Sequence, residues 1–278
     1  MSVSYYPGCA LHGTAREYDD SVKTVSRILG VDLLELPDWN CCGASAAHST
    51  DDSLAHQLAD RNLRIAVKEG KDLIIPCAAC YSRLKAAEKK EEASTPAVPG
   101  KIRVLSILEF LGGTEMAEKI QTLKKRSLEG LRVVCYYGCL YSRPPRVTGA
   151  KNCENPDEMD RLMKKIGVES VPWSYKTDCC GGALVLTRTD IVRRLTRKLF
   201  DRALEAGAEA IVVACPLCQA NLDTRQEEIS REAGQAYDLP IFYFTELMGV
   251  ALGYRDPGKW WKKHFVDPSG LILKKGLN

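Results

Sequence analysis

The cysteines of this chain follow a spacing rule that repeats. Cys41, Cys42, Cys77 and Cys80 each recur 138 positions later, as Cys179, Cys180, Cys215 and Cys218. A lone cysteine precedes each set, and these two, Cys9 and Cys139, stand 130 positions apart. The copies therefore read C-x31-CC-x34-C-x2-C and C-x39-CC-x34-C-x2-C, the second with eight extra residues after its first cysteine. Chance does not keep four offsets identical, and the flanking residues agree. SYYPGCALH matches CYYGCLYS, DLIIPCAAC matches AIVVACPLC, and SILEFLGG matches YFTELMGVALGY. Self-similarity at a fixed offset marks two copies of one structural unit. We place the first at residues 1–125 and the second at 126–278, joined through the segment 113–130.

Each copy has the same local grammar. Short apolar runs lead into the cysteines: Ile74-Ile75 before Cys77, Ile211-Val212-Val213 before Cys215, and Val133-Val134 before Cys135. Runs this short and continuous fit strands of a sheet buried on both faces. Helical periodicity lies between them, at Asp19–Leu29, Asp51–Val67 and Arg188–Ala206, with Gly30 and Gly207 placed as stops. Alternation of strand and helix predicts an α/β fold, each repeat a small, mostly parallel sheet flanked by helices. The cysteines then fall at strand ends or in the loops that follow, where open α/β sheets place their ligands. The C-x2-C segments AACYSR and LCQANL read as helix starts. The charged, then Ser/Thr/Pro-rich stretch 88–100 reads as a surface loop.

Twelve cysteines in 278 residues are the compositional outlier. No basic segment followed by an apolar core opens the chain, and no apolar run approaches the ~20 residues that cross a bilayer, so the expected location is the cytoplasm. Thiols stay reduced there, which turns the cysteines from disulfides toward ligation. A net charge of +3 leaves no footprint for nucleic acid.

Each set offers one C-x2-C, one adjacent pair and one single thiol. Zinc takes four ligands tetrahedrally, and a C-x2-C with the adjacent pair would satisfy that count. A thioredoxin-like dithiol would use the C-x2-C alone and leave the other thiols unexplained. Adjacent residues in extended backbone point apart, which suits two metals of one cluster better than one ion. The glycines after the pairs, Gly43, Gly181 and Gly182, let the backbone bend around a bulky inorganic group and offer it N–H donors. Iron–sulfur clusters are built on such thiolates, although five thiols exceed what a cubane needs. Cys135, inside an apolar run, reads as a buried hydrophobe, and Cys153 as a bystander. His12, His48, His56 and His264 show no ligand spacing, and His12 and His48 read as structural or surface residues.

LPDWNCCGASAAHS, YYGCLYSRPP, DCCGGA and ELMGVALGY…KHFVDP carry a resemblance over nearly the whole chain. The pattern resembles the cysteine-rich CCG domain family, and within it the B subunit of heterodisulfide reductase, closer to the bacterial-type members because Leu140 stands after Cys139. The resemblance implies two noncubane [4Fe–4S] clusters with five cysteine ligands each. Position by position, one falls to Cys9, Cys41, Cys42, Cys77 and Cys80, and the other to Cys139, Cys179, Cys180, Cys215 and Cys218. Those ten cysteines are at once the expected catalytic, cofactor-binding and metal-ligating residues. The expected reaction is reduction of a small (hetero)disulfide by one-electron transfers, the substrate S–S bond lying between the two clusters. Neither a G-x-G-x-x-G nor a conventional cubane run is present, so electrons come from another polypeptide. The resemblance implies a flavin-bearing A subunit together with an iron–sulfur C subunit, in an electron-bifurcating assembly to which hydrogenase, formate dehydrogenase or methylene-tetrahydrofolate reductase modules attach.

Substrate halves in that family are acidic thiols, for which Arg143, Arg146 and Arg188 are candidate partners, with Pro144-Pro145 stiffening their loop. Exposed apolar residues of ALGYRDPGKWWKK are a candidate docking face, or else Trp260 and Trp261 cap the fold. The competing readings are an electron-relay subunit of a lactate, glycolate, glycerol-phosphate or succinate oxidoreductase, and a structural zinc scaffold.

Overall fold

The computed structural model describes residues 1–94 and 102–277. The first half contains strands β1 (Ser2–Tyr5), β2 (Asp32–Glu35), β3 (Leu73–Ile75) and β4 (Val104–Ser106). Its helices are α1 (Gly8–His12), α2 (Arg16–Ile28), α3 (Ala46–Thr50), α4 (Asp52–Glu69), α5 (Ala78–Ser94), α6 (Ile107–Gly112) and α7 (Thr114–Leu123). The second half holds β5 (Arg132–Tyr136), β6 (Glu169–Ser170), β7 (Ala210–Val213) and β8 (Ile241–Tyr243). Around them lie α8 (Pro145–Thr148), α9 (Glu158–Lys165), α10 (Thr189–Glu205), α11 (Pro216–Thr224) and α12 (Gln226–Ala233). The chain closes with α13 (Phe244–Ala251), α14 (Gly258–Trp261) and α15 (Ser269–Lys274).

The strand orders are β2-β1-β3-β4 and β6-β5-β7-β8, every pairing parallel. The same order twice is what a duplicated α/β unit requires. β3 and β7 are buried along their whole length, because helices cover both faces of each sheet. The amphipathic helices expected between strands are present as α2, α4 and α10. Asp51 caps α4 by accepting from the Leu54 N–H at 3.0 Å, and Gly70, with φ +65°, ends it in a left-handed turn.

The halves pack as equivalents across a two-fold. α13 lies on α2, and its counterpart α6 lies on α9, the counterpart of α2. Likewise α11 meets α1 and α5 meets α8, the segment following the second lone cysteine. Contacts that return reciprocally between equivalent elements define an isologous interface. The helix after each sheet's last strand is thus buried against the opposite half, and one apolar cluster, including Val22, Leu108, Met159 and Phe244, runs through both. Tyr18 of α2 stacks on Tyr243, with ring centroids 4.1 Å apart and planes 3° from parallel.

One sequence expectation changes, and one pair of alternatives is decided. Residues 88–94, read as loop, continue α5; Lys, Glu and Ala are good helix formers. The rest of that stretch, from 95, lies outside the described residues. Trp260 and Trp261 are buried, 2% and 6% exposed, and so cap the fold instead of presenting a docking face. Trp260 stacks on Tyr254 at 4.4 Å and rests on Gly249, where an added Cβ would stand 2.7 Å from the indole.

Candidate functional site

Local structure delivers the first cysteine set from three directions. Cys77 ends the run of β3 and Cys80 sits in the first turn of α5, while Cys9 lies in α1 and Cys41-Cys42 in the irregular segment after β2. The Cys42 and Cys80 sulfurs stand 3.2 Å apart. Gly43, with φ +76°, turns the chain so tightly onto α4 that a Cβ would meet the Ala55 backbone at 3.0 Å. The second set repeats this. Cys215 follows β7, Cys218 lies in α11 behind Pro216, and the Cys180 and Cys218 sulfurs stand 3.7 Å apart. Gly8 and Gly138 precede the lone cysteines with φ of +70° and +67°. A Cβ there would lie 3.0 Å from the Cys80 sulfur and 2.9 Å from the Cys218 sulfur. All twelve cysteines are free thiols.

The surroundings divide the thiols: Cys42, Cys179, Cys180 and Cys215 are brought down, while Cys41, Cys77, Cys80, Cys139 and Cys218 are pushed up by their thiol neighbours and by burial. Hydrogen bonds with the Cys41 and Cys80 thiols bring Cys42 down to about 3, while Cys41 is pushed up. Cys139 donates to Cys179, and the Gly181 N–H, 3.2 Å from the Cys179 sulfur, adds to that; Cys179 falls to about 6. Backbone N–H groups of Gly43 and Gly182 serve Cys41 and Cys180 in the same way. These are the donors expected of the post-cysteine glycines, and a thiolate is the form that ligates metal.

The two sets meet at Cys77 and Cys215. Each is fully buried, and their thiols interact, moving Cys77 up and Cys215 down. Above them the Tyr18 hydroxyl lies against two equivalent carbonyls, Ala214 O at 3.0 Å and Pro76 O at 3.4 Å. One phenol therefore ties together the loops that carry both C-x2-C motifs. Sequence reasoning passed over Tyr18, whose partners are 58 and 196 residues away. It also passed over Tyr6 and Tyr136, although each recurs three residues before a lone cysteine. Their hydroxyls donate to Asn40 O at 2.7 Å and Asp178 O at 2.6 Å, holding the residue that precedes each adjacent pair.

Other candidates fall elsewhere. Cys135 is buried inside β5 with its sulfur 3.5 Å from the Ser170 hydroxyl, and burial pushes its thiol up. Cys153 lies partly exposed beside Glu154. His12 pairs with Glu35 at 3.0 Å and His48 with Asp52 at 2.9 Å; neither hydrogen-bonds a cysteine. Arg143 is held by Glu154 and by the Thr177 carbonyl and hydroxyl, Arg188 pairs with Asp190, and Arg146 is exposed. Two of the three arginines expected to meet an acidic ligand thus already have carboxylate partners. Among the described residues, no three His, Cys, Asp or Glu side chains gather closely enough to hold a single metal ion.

The cysteine-rich CCG domain matches residues 3–85 and 133–223. The chain is 29% identical over 261 residues to the 8-methylmenaquinol:fumarate reductase membrane anchor subunit of Wolinella succinogenes, covering 90% of this chain and 92% of that one. It is 28% identical over 270 residues to the B subunit of the ferredoxin/F420H2-dependent CoB-CoM heterodisulfide reductase of Methanosarcina acetivorans, covering 91% and 89%. A crystal structure of a hypothetical protein from Helicobacter pylori shares the fold, with TM-score 0.74 at 12% identity, covering 96% of this chain and 52% of that one.

Proposed function

The chain belongs to the cysteine-rich CCG domain family, with the domain present twice, and from that premise we propose that it is the disulfide-reducing iron–sulfur subunit of a heterodisulfide reductase-like complex. In this reading Cys9, Cys41, Cys42, Cys77 and Cys80 hold one noncubane [4Fe–4S] cluster. Cys139, Cys179, Cys180, Cys215 and Cys218 hold the other. When bound, the clusters would supply electrons one at a time to a small disulfide, which needs two electrons and two protons. The chain's own residues do the rest. Gly8 and Gly138 keep the backbone clear of the sulfurs, and N–H groups of Gly43, Gly181 and Gly182 stabilise their negative charge. Tyr18 keeps the two C-x2-C loops at a constant separation.

The observation that carries the proposal is the Tyr18 hydroxyl between Pro76 O and Ala214 O, which puts the loops carrying Cys77 and Cys215, one from each five-thiol set, at one buried point. A zinc scaffold gains nothing from that juxtaposition. Electrons arrive from other polypeptides, one carrying flavin and one carrying further iron–sulfur clusters. Among the described residues no helix is long and apolar enough to cross a membrane.

A second reading is favoured by the Wolinella relative, which is named as part of a fumarate reductase. There the adjoining sets would relay electrons without meeting a disulfide. Anaerobically purified protein should contain about eight irons per chain with matching acid-labile sulfide. Reductant-driven turnover of small disulfides supports the first reading, and turnover only with a quinone partner supports the second. Zinc without sulfide overturns both.

A further inference from the structure

A group of buried ionisable side chains lies where the C-terminal segment folds onto the two-fold interface, and neither cysteine set uses it. His264 Nε2 meets Glu246 Oε1 at 3.0 Å with both side chains fully buried. The other Glu246 oxygen accepts the Tyr243 N–H at 2.9 Å. Asp223 of α11 fixes the segment by accepting from the Phe265 and Val266 N–H groups at 2.8 and 3.0 Å. Glu17, in the first turn of α2, is 5% exposed and faces the same group from the other side. The His264 Nδ1 and the Tyr243 hydroxyl are buried without partners. The charged and titratable groups facing Glu17 are therefore Glu246 on α13 and His264 and Lys263 on the C-terminal segment. Asp223 and Asp267 face His264 in turn.

The two-fold supplies a comparison. Glu109 stands on α6 where Glu246 stands on α13, each accepting the N–H of the helix's N-cap. Glu158 stands on α9 where Glu17 stands on α2. That second carboxylate pair is not sealed: it lines a cavity of about 340 Å³ together with Tyr81, Tyr141, Lys151 and Arg161. In the Glu17–Glu246 copy the C-terminal segment has filled the equivalent space and put an imidazole on the carboxylate. One pair lines an open cavity, while the other is closed over by the C-terminal segment.

The connection to the sulfurs is short. Glu17 adjoins Tyr18, whose hydroxyl holds the carbonyls preceding Cys77 and Cys215. Tyr243, stacked on Tyr18, feels Glu17, Glu246 and Cys215 together. Resting on the iron–sulfur reading above, we propose that Glu17, within the Glu17–Glu246–His264 group, takes up a proton from solvent when an electron is added at the cysteine sets. The balance is one electron from a one-electron reductant, here dithionite or an iron–sulfur donor protein, and one proton from water onto the Glu17 carboxylate. Added negative charge in a buried region raises the proton affinity of nearby acids, and by linkage the bound proton favours reduction equally. Burial already lifts Glu17 to about 7, so it is poised for the exchange. Its slight exposure leaves it a route to water. A disulfide reductase consumes a proton for each electron, and this group would keep that stoichiometry local.

The test uses the full chain with its clusters reconstituted, titrated with dithionite from pH 6 to pH 9. In the wild type the equilibrium constant for reduction should be level below about pH 7 and then fall up to about tenfold per pH unit. In Glu17→Gln, which keeps the shape and removes the proton site, that falling limb should vanish at unchanged iron content. Redox-difference infrared spectra should show a carboxylic acid C=O band that appears on reduction and is missing from Glu17→Gln. Superimposable pH profiles and the same band in both proteins overturn the inference and leave the iron–sulfur reading intact. Protein that takes up no iron and sulfide overturns both.

Discussion

Replacing His264 by alanine tests how much the sealed ion pair holds the two halves together. Burial alone would depress the imidazole, but the adjoining Glu246 carboxylate, by charge and hydrogen bond, raises it from 6.5 to about 9. A rise of roughly 2.5 at about 1.4 kcal/mol per pH unit gives about 3.5 kcal/mol at full effect. The direction follows from which state binds the proton more tightly. A folded-state value above the unfolded one stabilises fully below pH 6.5 and loses that contribution as pH rises through about 9. The figure agrees with the ~3–5 kcal/mol cost of leaving one member of a buried pair without its partner. Urea unfolding of wild type and His264→Ala, in matched anaerobic buffers at pH 6 and pH 10, measures it. The stability gap should be about 3 kcal/mol larger at pH 6 than at pH 10. Titration of the many thiols affects both proteins alike and cancels in the difference, as does the packing lost with the imidazole. A gap that does not change with pH would refute the assignment of a charged His264.

Three further outcomes follow from the same geometry. Tyr18→Phe removes the hydroxyl between Ala214 O and Pro76 O and should cost about 1–2 kcal/mol in urea unfolding. With iron content kept, its paramagnetic resonance spectrum should change. Gly138→Ala places a methyl 2.9 Å from the Cys218 sulfur at φ +67° and should halve iron per chain. Gly234→Ala, left-handed but in open space, should leave iron content unaffected. Trp260→Ala empties a fully enclosed indole site and should lower stability by about 3–5 kcal/mol, seen as a fall in Tm with far-UV dichroism retained.

What the sequence determined by itself was everything carried by local order. Offsets of 138 between cysteines survive as an offset between equivalent strand ends, because a duplicated segment refolds the same way. Short apolar runs such as LII and AIVV fit buried strands and are β3 and β7, and the periodicity of 188–206 becomes α10 with its glycine stop. Even Tyr6 and Tyr136 were visible as a repeated YY before each lone cysteine, had their spacing to it been weighed. The tertiary structure decided which faces find each other. No periodicity says that α6 and α13 reach across to lie on α9 and α2, since an amphipathic face specifies burial but not its partner. For the same reason only packing could choose between docking and capping for Trp260 and Trp261, Arg143 was taken by Glu154, and α5 ran on through a charged stretch. Cys77 and Cys215 lie 138 residues apart in the chain and meet only because the two-fold brings equivalent loops together. Glu17, Glu246 and His264 share no motif, and only the closed C-terminal segment strips them of water and makes their charges interact.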